Sequence, residues 1–201
     1  MVNQVVDAFT RLTKALEILP NVGPKTAQRM AYELLQHKRT GAEELIAAIQ
    51  SALLQVQHCQ LCNTLCEGHL CSLCADPQRD RKRLMIVHMP IDVSSMELAH
   101  CHDGLYFVLM GQISAAQNMD LSHIALEKLV TRLQDDAVKE VIIATNFTAE
   151  GDATAYILAQ VLKEFPVKIS RLARGMPLGG ELEYVDAGTL AQAVYERRQI
   201  K

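Results

Sequence analysis

No apolar run in this sequence approaches the roughly 18 residues that a membrane-crossing helix requires. The first twenty residues, MVNQVVDAFTRLTKALEILP, lack the basic head and apolar block of a secretion signal. These absences argue against insertion in a membrane or export, and the expected compartment is the cytoplasm. There is no G-x-x-x-x-G-K-[ST] loop to cradle nucleotide phosphates, and no internal repeat or low-complexity stretch. Positive charge is not in excess either: the formal net charge of -3 argues against a chain coated with cations.

What is present is an uneven distribution of charge. Residues 1 to 40 carry six Lys or Arg (Arg11, Lys14, Lys25, Arg29, Lys38 and Arg39) against three acids, whereas residues 84 to 201 carry ten bases against fifteen acids. Between them, Arg79 to Arg83 supplies four bases for one acid. A basic head on an acidic body predicts two surfaces with different partners.

The head reads as helical. Val5, Phe9, Leu12, Leu16 and Leu19 recur at three- and four-residue steps and lay one apolar stripe on a helix that Pro20 ends. Pro24 stands at a first helical position, and Ala27, Ala31, Leu34 and Leu35 carry a second stripe to about His37. A third helix, from about Ala42 to Val56, is expected to bury Leu45, Ile49, Leu53 and Val56. From Leu84 the rhythm changes, and the strand-like runs LMIV, YFVLM, VIIAT and VKIS alternate with helical patterns near residues 91–99, 121–134 and 152–164. Such alternation predicts an α/β domain with a mostly parallel sheet. Working residues then lie beyond the carboxyl ends of strands, which points to His88, to Asn146 through Asp152, and to ARGMPLGGELEYVD.

Five of the six cysteines fall within the 17 residues HCQLCNTLCEGHLCSLC. Two C-x-x-C pairs, Cys59/Cys62 and Cys71/Cys74, stand eight residues apart. Each pair folds as a tight turn presenting two thiolates, and two such turns make the tetrahedral sulfur site that suits zinc. With four thiolates and no water position, that zinc would hold a fold and perform no reaction. Cys66 offers a fifth sulfur; the symmetrical set is preferred because both halves then use the same turn, which leaves Cys66 as a spare loop thiol. His58 and His69 are expected to face solvent, and Cys101, without a nearby partner, to be a small buried apolar residue.

LPNVGPKTAQRM joins the first two helices through a turn containing Gly23. In a helix-hairpin-helix, backbone amides at such a turn face a DNA phosphate, and Lys25 and Arg29, four residues apart, share a helix face that supplies cations. Asn21 stands where these hairpins commonly have glycine, and Asn tolerates the left-handed backbone that the turn needs.

A helix-hairpin-helix, a C-x2-C-x8-C-x2-C site, and an α/β region containing ATNFTAEGDATA and ending GMPLGGELEYVDAGTL together resemble the RecR family of bacterial recombination mediators. The resemblance covers the whole chain in order. It implies an N-terminal helix-hairpin-helix (residues 1–56), a four-cysteine zinc finger (57–78), a Toprim domain (79–172) and a C-terminal loop and helix making a subunit contact (173–201). It further implies DNA repair without enzymatic activity: with RecO, and in some settings RecF, such proteins help RecA displace single-strand-binding protein at gaps. Members form rings, often tetramers, wide enough to surround duplex DNA. By the same resemblance Gly23, Lys25 and Arg29 contact gapped, single- or double-stranded DNA without reading sequence, a role on the nucleoid, while Asp92, Glu150 and Asp152 face RecO.

Catalytic Toprim domains need a glutamate and an Asp-x-Asp pair because Mg²⁺ takes hard, charged oxygen ligands. Here the positions hold His88, Asn146 and Thr148. Arg174 replaces a histidine common in the family, and Gly179 and Gly180 permit a tight backbone path.

Overall fold

The computed structural model describes residues 7–113, 124–134, 137–173, 175–176, 179 and 181–197. Val5, Arg174, Gly180, the first residues of the 121–134 pattern and the last residues of the expected C-terminal helix region lie outside them. The chain divides into two compact units, Met1–Val56 and Gln57–Lys201.

The first unit is helical: α1 (Ala8–Leu16), α2 (Pro24–Gln36) and α3 (Arg39–Gln55). Asp7 caps α1, its carboxylate accepting the Thr10 amide at 2.7 Å. The turn after α1 runs through Asn21 at φ +64°, so the left-handed geometry expected of that residue is present. Pro24 takes the first position of α2, where its missing N–H costs nothing. Ala27 and Ala31 are fully buried, and Phe9 packs on Tyr32 with ring centroids 4.7 Å apart. α3 departs from expectation. It begins at Arg39 and buries none of its residues; Leu45, Ile49 and Val56 are half-exposed or nearly so, and Leu53 is 79% exposed. Three helices offer one shared seam, and the apolar side chains that α3 carries outside that seam are exposed.

β1 (Val56–His58) starts at the last residue of the first unit and pairs with β2 (Leu65–Glu67); the second unit continues with the one-turn helix α4 (Ser72–Ala75), β3 (Asp80–Val87), α5 (Pro90–Leu98), β4 (Gly104–Val108), α6 (Leu126–Leu133), β5 (Glu140–Ile143), α7 (Ala149–Leu162), β6 (Lys168–Arg171), a 3-10 turn at Leu182–Tyr184 and α8 (Ala187–Tyr195). β3 to β6 form one sheet in the order β4-β3-β5-β6, parallel throughout. Alternation along β3 sorts the core. Leu84 and Ile86 pack with Phe107, Leu129, Val141, Leu158 and Leu162 on one face, while Met85 and Val87 pack with Val93 and Tyr106 on the other. Each fully buried Leu or Phe stabilises the sheet by about 1.5–3 kcal/mol. The chain leaves β3 on one side to form β4 and crosses back to form β5, so the strand order reverses beside the carboxyl end of β3.

Candidate zinc centre and nucleic-acid interface

The four cysteines chosen by spacing converge. One sulfur from each of Cys59, Cys62, Cys71 and Cys74 lies within 4.8 Å of the others, and all four are buried. Local hydrogen bonds shape each C-x-x-C turn: the Asn63 amide donates to the Cys59 carbonyl at 2.9 Å, and the Cys74 amide to the Cys71 sulfur at 3.4 Å. The Cys71 amide crosses to the Cys59 sulfur at 3.4 Å. Such N–H donors stabilise thiolates. Burial pushes the Cys71 thiol up to about 11, and the Cys62 thiol is pushed up by its hydrogen bond to Cys74 and by burial. Four thiolates this close therefore need a cation among them, and the all-sulfur donor set fits zinc, which supplies charge neutralisation and a tetrahedral anchor when bound.

Cys66 is outside this set, but it does not lie in a loop. It sits in β2, partly buried, and packs against the sulfur cluster, its thiol 3.3 Å from the Gly68 carbonyl. His58 is exposed as expected, though it lies in β1 with its ring 2.9 Å from the Asn63 carbonyl. Cys101 corrects the expectation of burial: it is exposed, on the turn between α5 and β4 that follows His100 at φ +49°.

In the first unit, Lys25 and Arg29 are both exposed on α2, one turn apart. No side chain caps α2; its cap residue is Gly23, in extended backbone at φ -87°. A Cβ there would meet nothing within 4 Å, so this glycine leaves open space beside the helix amides.

The basic run Arg79 to Arg83 behaves differently. Arg79 forms an ion pair with Glu97 through both guanidinium nitrogens and donates to the Gly104 carbonyl at 3.1 Å, with Tyr106 donating to Glu97 at 2.6 Å. Arg83 pairs with Asp80 at 2.8 Å and with Asp103. These two cations are neutralised within the fold, which spacing alone could not show.

Asp92, Glu150 and Asp152 all stand in first helical turns at the carboxyl end of the sheet, Asp92 on α5 and the other two on α7. Asp92 accepts the Met89 amide at 2.8 Å. Asp152 pairs with Arg171 at 2.6 Å, and that guanidinium lies 4.9 Å from the Phe147 ring centre. His88 lies just past β3, only 3% exposed, with neither ring nitrogen hydrogen-bonded among the described residues. Burial holds its pKa below the usual histidine value, against the pull of Asp92. Thr148 caps α7 by accepting the Gly151 amide at 3.1 Å, so its hydroxyl is committed to the helix. A neutral imidazole, an amide and a capping hydroxyl do not make a magnesium site.

A helical unit with exposed cations on α2, a buried four-thiol cluster and a parallel sheet make this a multi-domain α/β chain with a zinc-finger module. The chain matches the RecR helix-hairpin-helix over residues 9–53, the RecR zinc finger domain of the four-cysteine type over 56–76, the Toprim domain over 82–173 and the RecR C-terminal region over 175–198. It is 67% identical to Recombination protein RecR of Neisseria meningitidis serogroup C over 195 residues, covering 97% of this chain and 95% of that protein. It is 55% identical to Recombination protein RecR of Chromobacterium violaceum over 193 residues, covering 96% of this chain and 98% of that one. The chain belongs to the RecR family of recombination proteins, with a role in recombination repair. No described helix is long and apolar enough to cross a membrane.

Proposed function

We propose that the chain is a DNA-binding recombination mediator that acts at gapped DNA with RecO, and with RecF in some settings, to let RecA replace single-strand-binding protein. The observation that carries this reading is the exposed Lys25 and Arg29 pair on an α2 that has no side-chain cap: the helix start and both cations are available to phosphate oxygens. These contacts bind backbone and carry no base readout. Gly23 keeps the approach open. Asp92 and Glu150, together with Asp152, form the acidic surface offered to RecO.

The exposed apolar residues of α3, which include Ile46, Leu53 and Leu54, and Leu182, Tyr184 and Tyr195 near the C-terminus are surfaces for further copies of the chain, supporting a ring, often tetrameric, on the nucleoid. Replacing Lys25 and Arg29 by Ala tests the DNA interface. Affinity should fall alike for all sequences, and the log-log salt slope should shrink by about one for each lost phosphate contact. Unchanged binding would remove the hairpin from the proposal, and solution mass with and without RecO tests the assembly.

A further inference from the structure

Among the described residues β4 lies at the edge of the sheet, and the outer side of such a strand presents N–H and C=O groups that must find partners. At Val108 they find them in the four-thiol module. The Val108 amide donates to the Cys62 carbonyl at 2.8 Å, and the Val108 carbonyl accepts the Asn63 side-chain amide, also at 2.8 Å. Asn63 is 3% exposed, takes a left-handed backbone at φ +62°, and uses every polar group it has. Its amide donates to the Cys59 carbonyl, its own carbonyl meets the His58 ring, its side-chain nitrogen bonds β4, and its side-chain oxygen accepts Lys128 Nζ of α6 at 2.8 Å.

We propose that Asn63 is a clamp that couples the four-thiol centre to the open edge of the sheet, so that zinc occupancy and the order of β4 depend on each other. This rests on the zinc assignment, not on the DNA or partner reading. The physical route is short. Cys62 supplies a sulfur to the metal and a carbonyl to Val108, and the next residue supplies the second bond. If the knuckle loosens, Cys62 and Asn63 leave β4 together, and Val108 loses both partners. Coupling of this kind is reciprocal in free energy: whatever the bound metal adds to the order of the edge, an ordered edge adds to metal affinity. Lys128 fixes which way the Asn63 amide points, because only its oxygen can accept an ammonium.

Asn63→Gly is the informative variant, since glycine keeps the positive φ and removes only the side chain. Zinc affinity, read by competition with a chromogenic chelator, should weaken by about five- to thirtyfold, the range expected for one to two kcal/mol. Hydrogen exchange should quicken at the Val108 amide while Val141 to Ile143 in β5 remain protected. Lys128→Met should shift both readouts in the same direction by a smaller factor. Stripping zinc from the wild-type chain should expose Val108 in the same way. Unchanged zinc affinity in Asn63→Gly, or faster exchange spread evenly over β5 and β6, would overturn the coupling, because a merely structural loss would loosen the whole sheet.

Discussion

The two compact units solve the burial problem in opposite ways. In Gln57–Lys201 fourteen buried residues among those described form one apolar cluster, with a second cluster on the other sheet face. In Met1–Val56 only Ala27 and Ala31 are buried among the described residues, and α3 turns Leu53 and Leu54 outward at 79% and 87% exposure. The larger unit holds its shape through its own core and a four-thiol staple. The smaller one carries apolar surface that an isolated copy leaves wet. The larger core therefore belongs to the second unit, and the proposed DNA-binding cations stand on the unit with the smaller core.

The largest expected effect comes from breaking the staple. Cys62→Ser should reduce bound metal, measured by elemental analysis, from one equivalent per chain to none, and should unfold residues 57–76, because structural zinc supplies much of the folding energy of such modules. Cys66→Ser should leave that equivalent in place, as Cys66 packs on the cluster from outside the four-sulfur set. Next comes Leu158→Ala in the sheet core, a fully buried residue whose loss should cost about 2–5 kcal/mol in denaturant unfolding.

Gly151→Ala is smaller but sharply placed. A Cβ there would stand 2.0 Å from the Asn146 carbonyl oxygen, so the loop after β5 must shift, at about 1–3 kcal/mol. Acid should weaken the second unit more than the first. Burial lowers the pKa of both His88 and His102 from 6.5, so the unfolded chain takes up these protons first. The stability they contribute is complete above about pH 6.5 and falls as pH drops from there toward the folded values. Melting temperatures measured from pH 8 to pH 5 should show this decline, and His88→Leu should flatten part of it. The smallest effect on a single copy should be Leu53→Ala in α3, within about 0.5 kcal/mol. The same variant should weaken self-association in sedimentation, which Leu158→Ala should not do selectively.

Much of this was legible in residue spacing. The C-x-x-C pairs picked out the four sulfurs that converge within 4.8 Å, because a metal site imposes its geometry on short sequence intervals. LMIV was legible as a strand, although the run is apolar throughout and only the structure sorts Leu84 and Ile86 onto one sheet face and Met85 onto the other. Pro24 marked the start of α2, and Asn21 its left-handed turn. The misses share a cause. Periodicity gave α3 an apolar stripe but not its exposure, and counting charges registered Arg79 only as part of a basic run, without its partner Glu97 eighteen residues away. Asn63 reads as an ordinary loop residue because its partners, Val108 and Lys128, are 45 and 65 positions distant.

The sequence alone determined the order of modules, the metal-binding sulfurs, the parallel sheet and the loss of carboxylates that magnesium chemistry would need. Each follows from residue types at short, fixed intervals, where covalent geometry leaves little choice. Only the tertiary structure decided that Arg79 and Arg83 are paired within the fold, that His88 is buried with no hydrogen-bond partner among the described residues, and that Cys62 and Asn63 bond Val108 of β4. Those outcomes depend on which distant segments meet and on what each meeting excludes from water, a property of packing that local spacing does not encode.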